Sequence, residues 1–179
     1  IAQSQIAQDP IFGTYGGAQV AMSDMLGNQK YHFLLYNTAN SRQDFVKSFN
    51  FAVSKVDLTS RTNKAYGIYH FAGNYYNRAD GFFFERRYGG FASLSYPLSV
   101  FERIEASVNV RQSDRNDFGI RPPVKGLLLS NFVSFVRDNS LWGPTGPMDG
   151  ERMSFSIGNT LDVSHANTNF YTILADYRK

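Results

Sequence analysis

Between Arg103 and Arg111 the chain alternates apolar and polar residues without a break. Ile104, Ala106, Val108 and Val110 fall on one side, and Arg103, Glu105, Ser107, Asn109 and Arg111 on the other. Successive side chains of a strand point to opposite faces, so this stretch predicts a strand with one apolar and one polar face. The pattern recurs. Phe49, Phe51 and Val53 oppose Ser48, Asn50, Ala52 and Ser54, and Met153, Phe155 and Ile157 oppose Ser154, Ser156 and Gly158. Tyr171, Ile173, Ala175 and Tyr177 line up in the same way. A soluble sandwich also alternates. Repetition in segment after segment, with many aromatics, is how a β-barrel in lipid reads when one side meets hydrocarbon and the other lines water.

Composition points the same way. The 179 residues suffice for one domain, and 16% are aromatic (11 Tyr, 16 Phe) while only 18% are charged, against about 25% for an average soluble domain. Mean hydropathy is −0.33, too polar for a helical membrane protein and suited to strands with one wet face. No apolar run approaches the roughly 18 residues of a spanning helix, so a membrane role requires a barrel. The net charge of +3 comes from basic residues scattered among acids, as in Glu85-Arg86-Arg87 and Glu151-Arg152. That is a solvated surface or lumen and no nucleic-acid stripe. Cysteine is absent, which excludes disulfides and thiolate metal sites and is compatible with an envelope compartment.

The expected organisation is all-β and antiparallel, up and down, with about nine or ten strands. Residues 1–17 form an N-terminal strand or tail, with Gly13 to Gly17 a loop or turn, and 18–179 form the barrel region. Strands are predicted over 18–25, 30–37, 45–56, 64–76, 82–98, the opening segment, 126–139, 151–160 and 170–179. Ser113–Lys125 reads as the longest irregular stretch and Ser140–Gly150 as a turn. The shorter turns and longer polar loops alternate roughly, as in outer-membrane barrels. Tyr36, Tyr75, Tyr76, Tyr96, Tyr177 and Trp142 lie near strand ends, where interfacial girdles would put them. The start, Ile-Ala-Gln-Ser-Gln, has no basic n-region or apolar h-region of a signal peptide, and Tyr177-Arg178-Lys179 ends inside a strand. Both are expected of a piece of a longer protein, truncated at its C-terminus.

Three turns carry a resemblance. Ser23-Asp24-Met25-Leu26-Gly27-Asn28-Gln29 separates two strands. Arg137-Asp138-Asn139-Ser140-Leu141-Trp142-Gly143-Pro144-Thr145-Gly146 precedes Glu151-Arg152-Met153-Ser154-Phe155-Ser156, and Tyr96-Pro97-Leu98-Ser99 leads into Phe101-Glu102-Arg103-Ile104-Glu105. In order and spacing they resemble, over roughly residues 18–179, periplasmic turns of the bacterial surface-antigen superfamily of BamA-type outer-membrane barrels. The resemblance is to barrels that follow a TolB-like propeller. It implies a sixteen-stranded barrel in a Gram-negative outer membrane, of which this chain supplies the first part. It also implies a role in outer-membrane protein assembly or translocation, with membrane lipid, other envelope proteins and client barrels as partners. A strained seam there lets a client strand add to a sheet edge. The superfamily's Arg-Gly-Phe loop and closing strand have no match in this chain. The alternative is a smaller complete barrel of eight or ten strands, acting as a passive pore or as a structural subunit of an envelope complex.

Candidate residues follow from these readings. Arginine or lysine on a lipid face near the midplane costs about 2–4 kcal/mol, so Arg103, Glu105, Asn109 and Arg111 are expected to face the lumen. Asp24, Gly27, Asp138, Asn139, Pro144 and Gly146 are expected to shape periplasmic turns. The aspartates and Asn139 would bond nearby amides, the glycines (with Gly143 and Gly150) would permit positive φ, and the prolines would fix φ. No enzymatic activity, cofactor, metal or nucleic-acid partner is expected. His32, His70 and His165 lack metal spacing. The Asp162, Ser164 and His165 loop, which a lipid hydrolase would need as a catalytic group, has ordinary loop composition.

Overall fold

The computed structural model describes residues 2–9, 13–38, 48–78, 81–118, 122–144, 146–164 and 169–179. Twelve strands follow one another: β1 (Ala2–Asp9), β2 (Gly13–Ser23), β3 (Gln29–Asn37), β4 (Phe49–Asp57), β5 (Asn63–Asn77), β6 (Gly81–Pro97), β7 (Glu102–Asn116), β8 (Val124–Asp138), β9 (Leu141–Gly143), β10 (Gly146–Asp149), β11 (Arg152–Asp162) and β12 (Asn169–Arg178). Ten form one sheet in the order β1-β2-β3-β4-β5-β6-β7-β8-β11-β12, and β9 and β10 form a separate small hairpin. Each strand of the large sheet pairs antiparallel with its predecessor. This is the all-β up-and-down topology the alternation predicts. Among the described residues no pairing joins β1 to β12, so the sheet is open.

Three local expectations are corrected. Gly13 to Gly17 begins β2 and is not a turn. Ser113–Asn116 continues β7, and Val124 and Lys125 open β8, so only the middle of that polar stretch is irregular. The Ser140–Gly150 turn contains the β9–β10 hairpin, in which Gly143 and Gly146 are paired strand residues. They are not among the positive-φ glycines, which among the described residues are Gly27, Gly81 and Gly150.

Register assigns every strand two faces. Val108 stands opposite Ala92 and Asn131, and Asn109 opposite Phe91 and Ser130. Carried across the sheet, one face gathers Leu35, Val53, Ile68, Leu94, Val108, Val133, Ile157 and Ile173. Asn131 and Asn159, opposite each other, interrupt it. These apolar side chains are exposed: Val108 by 41%, Ile68 by 59% and Ile173 by 67%. Among the described residues the buried apolar ones are Ala72, Phe83 and Val136, whereas the buried polar ones are Ser48, Asn50, Glu85, Asp117 and Thr160. The usual arrangement, apolar inside and polar outside, is inverted.

The sheet curls toward the polar face. Gly17, Gly67, Gly89 and Gly158 all lie on it. A Cβ at Gly17 would sit 2.5 Å from the Cβ of Tyr36, its cross-strand partner, and one at Gly67 would sit 2.8 Å from that of Ser54. A Cβ at Gly89 would strike the Val110 carbonyl, and one at Gly158 the Phe132 ring. Directly opposed Cβ atoms are ordinarily about 4.5–5.5 Å apart. Their convergence marks the concave side, where glycine relieves the crowding. The concave side is therefore polar and the convex side apolar.

Where β4 leaves β5, a side chain takes over the backbone's work. The ladder ends at Phe51 opposite His70. Beyond it Asn50, 1% exposed, accepts a hydrogen bond from the Ala72 amide and donates one to the Ser48 carbonyl at 2.7 Å. The Thr38 hydroxyl donates to the Ala72 carbonyl at 3.0 Å. Buried amides that lose a ladder partner need such substitutes.

Candidate functional site

The concave face of β5, β6 and β7 concentrates the polar chemistry. Register sets Arg115 opposite Glu85, Ser113 opposite Arg87, Arg111 opposite Gly89 and Asn109 opposite Phe91. The Glu85 carboxylate accepts from the Arg87 guanidinium and, at 2.6 Å, from the Ser113 hydroxyl. Arg115 donates to both oxygens of Asp117, at 2.6 and 3.4 Å. Its guanidinium lies 3.9 Å from the Phe83 ring centroid, and that of Arg87 lies 5.0 Å from the Tyr75 centroid. Tyr69 faces Gly89 across the strand pair, and its hydroxyl donates to Asn109 Oδ1 on β7 at 3.0 Å. Without a side chain at Gly89 the tyrosine reaches over β6.

All four residues expected to face the lumen lie on this face. Arg103 Nε donates to Glu105 at 2.6 Å, an exposed pair worth about 0–1 kcal/mol. Asn109 holds Tyr69, and Arg111 stands opposite Gly89. The ring of Glu85, Arg87, Ser113, Arg115 and Asp117 was not singled out by the sequence. Only the long-range register of β6 on β7 brings residues 85 and 113 together. Charge segregates by face even within Glu85-Arg86-Arg87. Arg86 points to the convex side and meets Asp114 at 2.9 Å, above a ladder of Phe51, His70 and Tyr88 whose ring centroids are 5.9 and 6.3 Å apart. Apolar residues thus end at an aromatic row, and polar pairs begin beyond it.

The tyrosines divide. Tyr76, Tyr96 and Tyr177 lie on the exposed convex face. Tyr36 and Tyr75 lie on the concave one, stacked on Phe71 and Phe83 at 6.2 and 5.9 Å. A period of two forces Tyr75 and Tyr76 apart, so Tyr36 and Tyr75 do not join Tyr76 on the convex face. The Trp142 side chain lies outside the described residues.

The turns are pinned as their composition suggests. Asp24 Oδ1 accepts from the Gln29 amide at 3.1 Å, and Gly27 adopts φ 72°. Asn139 Oδ1 accepts from the Glu151 amide at 2.7 Å and closes the neck of the β9–β10 hairpin. Gly150 has φ 98°, with the Asn139 carbonyl where a Cβ would stand. Pro144 is exposed at the hairpin tip, and Gly146 begins β10. Asp138 accepts from the Ser140 hydroxyl and amide, while its own amide donates to the Phe101 carbonyl at 2.8 Å, tying two neighbouring turns.

These turn carboxylates are pH-sensitive. The Ser140 hydroxyl, then the Ser140 amide, holds the Asp138 carboxyl below its usual range, and Thr59 does the same for Asp57. A carboxyl depressed in the folded state stabilises it fully above the ordinary carboxylate range and loses that effect as pH falls through the folded value. Hydrogen exchange at the Ser140 and Thr59 amides is therefore expected to accelerate, after correction for intrinsic rates, as pH drops below about 4. Asp138→Asn and Asp57→Asn should flatten that dependence at their own turns; an unchanged profile would count against it.

Catalytic groupings are weak. His70 Nδ1 is 2.8 Å from the Phe49 carbonyl. The Ser164 hydroxyl donates to Asp162 at 2.8 Å and accepts from the Leu127 amide at 3.1 Å, so it braces a turn. His165 lies outside the described residues. Among the described residues no cluster of His, Asp and Glu could hold a metal. The convex face carries a shallow depression of about 1010 Å³ around Gly90 and Ala92, bordered by Tyr66, Ile68, Tyr88 and Val108, apolar in character. No family model matches the chain, and no curated protein matches it in sequence.

Proposed function

We propose that this sheet is the wall of a transmembrane β-barrel in a Gram-negative outer membrane, and that the protein serves the assembly or translocation of outer-membrane proteins. The observation that carries the membrane reading is the inverted burial. Water penalises an exposed convex face of Ile68, Val108, Val133, Ile157 and Ile173, and an exposed patch of that extent marks a membrane or partner surface. Hydrocarbon accepts it, and the concave charged face then lines water. The stretch from Tyr88 to Tyr96 on β6 matches the roughly 9–11 residues a tilted strand uses to cross. Near the turn end, Lys55 lies 5.3 Å from the Tyr31 ring centroid and Arg61 lies 4.9 Å from that of Tyr96, as interfacial cations and aromatics do.

The assembly role rests on the turns' likeness to the surface-antigen superfamily. The second reading, a passive pore, is favoured by the charged concave face. Depletion of the protein in its host separates the two. The assembly role expects falling steady-state levels of other outer-membrane barrels; unchanged levels with impaired uptake of small solutes would contradict it and favour the pore. In either case the protein should fractionate with the outer membrane and resist urea extraction. Recovery in the soluble fraction would remove both.

A further inference from the structure

We propose that Arg111 and Arg87 form a binding site for an oxyanion, a phosphate or carboxylate group, on the concave face. The inference deepens the reading of that face as a water-lined wall and rests on it. The patch holds two acids, Glu85 and Asp117, and three cations, Arg87, Arg111 and Arg115. Both oxygens of Asp117 are taken by Arg115, through Nε and Nη2. One oxygen of Glu85 is taken by Arg87 and the other by Ser113. Arg111 is the surplus cation: no hydrogen bond or ion pair to it is found among the described residues. Its Nε is shielded from solvent and unbonded there, and so is Nε of Arg87.

A guanidinium carries five donors and no acceptor. Both Nε atoms are closed to solvent, so a ligand would be met by the terminal nitrogens, where an oxyanion with several lone pairs suits two neighbouring guanidinium groups. Register makes them neighbours. Arg87 is opposite Ser113 and Gly89 is opposite Arg111, so the arginines are diagonal across β6 and β7, with Cβ atoms typically about 7–8 Å apart or less. The Arg87 fork is turned toward Glu85 and Tyr75, so a ligand shared with Arg111 would sit beside the Glu85 carboxylate. Gly89 contributes space where any other residue would place a Cβ against Arg111. Glu85, whose charge Arg87 and Arg111 both offset, opposes an incoming anion, and Asp162 stands on the same face, opposite Leu128, which is itself opposite Arg111. Arg103, lower on β7, is held by Glu105 and adds nothing to the site.

The test uses the chain refolded in neutral detergent micelles with ¹⁵N-labelled arginine, the Nε–H resonances assigned by single Arg→Lys variants. Inorganic phosphate is titrated in one arm, and phosphatidylglycerol is doped into the micelles in the other. Saturable shifts of the Arg87 and Arg111 resonances with phosphate support a free anion as ligand, and shifts only with phosphatidylglycerol support a lipid headgroup. In either case Arg111→Gln should weaken binding about tenfold, Arg111→Lys less, and Arg86→Gln, on the opposite face, not at all. No saturable shift in either arm, or shifts that survive Arg111→Gln, would overturn the site. If Arg111→Gln fails to refold, Arg111→Lys decides: affinity equal to that of the parent overturns it. Because binding is read in micelles, failure of outer-membrane fractionation leaves this result standing, and absence of binding leaves the barrel reading standing.

Discussion

Val108→Arg is expected to destabilise the protein in lipid vesicles by about 2–4 kcal/mol, while Ser107→Arg, one residue away, is expected to cost little. Val108 lies on the convex face between Ala92 and Asn131, near the middle of the apolar run from Ile104 to Val110. In hydrocarbon an arginine there must drag its charge toward an interface. Ser107 lies on the concave face opposite Ser93 and Phe132, is exposed, and would place the charge in water. A soluble protein inverts the outcome: Val108 is 41% exposed, and an exposed substitution in water stays within roughly ±0.5 kcal/mol. Urea unfolding of both variants in vesicles measures the difference directly.

Gly89→Ala is expected to cost about 1–3 kcal/mol. The new methyl would meet the Val110 carbonyl and the Arg111 Cα, the latter at 2.8 Å. Both are backbone atoms of the paired strand and cannot rotate away. Relief requires β6 and β7 to separate or flatten, which would loosen the Tyr69 to Asn109 bridge and the packing of Arg111. Gly126→Ala is the matched control. Gly126 lies on the same face opposite Ser113, and its nearest neighbour, a carboxylate oxygen of Asp162, is 3.9 Å away. There a methyl fits, and the entropic handicap of glycine in a strand, about 0.5–1 kcal/mol relative to alanine, is removed. The expected pair of results is a fall in the urea midpoint for the first and an unchanged or higher midpoint for the second. Equal effects would mean that curvature is not set at Gly89.

What the sequence revealed, and what it hid, follows from the range of each interaction. Alternation is local, so the strands around Phe51, Val108 and Ile157 were legible. Asp24 and Asp138 bond amides within a few residues, so their turns were legible too. The ends of β7 and β8 were hidden because the strands outrun the apolar face. At Asp114 on the convex side and Arg115 on the concave side both faces are polar, alternation vanishes, and a strand reads as a loop. The ring around Glu85 was hidden because residues 85 and 113 meet only through the register of two long strands. Arg103, Glu105, Asn109 and Arg111 were grouped on one face by a cost argument that needs no partner, and register sets all four on the polar face. Their individual fates, one ion pair, one bridge to Tyr69 and one unsatisfied guanidinium, depend on neighbours in other strands. The assignment of Tyr36 and Tyr75 to an outer girdle weighed nearness to a strand end above parity, and parity prevails.

If the apolar face meets lipid and the polar face water, the two faces of one strand differ in what can collide with them. Because the chain has no cysteine, a scan of single substitutions from Ile104→Cys to Arg111→Cys needs no background removal. Each variant is spin-labelled in vesicles and compared for collision with oxygen, which partitions into hydrocarbon, and with a polar nickel chelate. Oxygen is expected to dominate at 104, 106, 108 and 110 and nickel at 105, 107, 109 and 111, a period of two with opposite phases. Nickel access at every position, with no alternation, would contradict it.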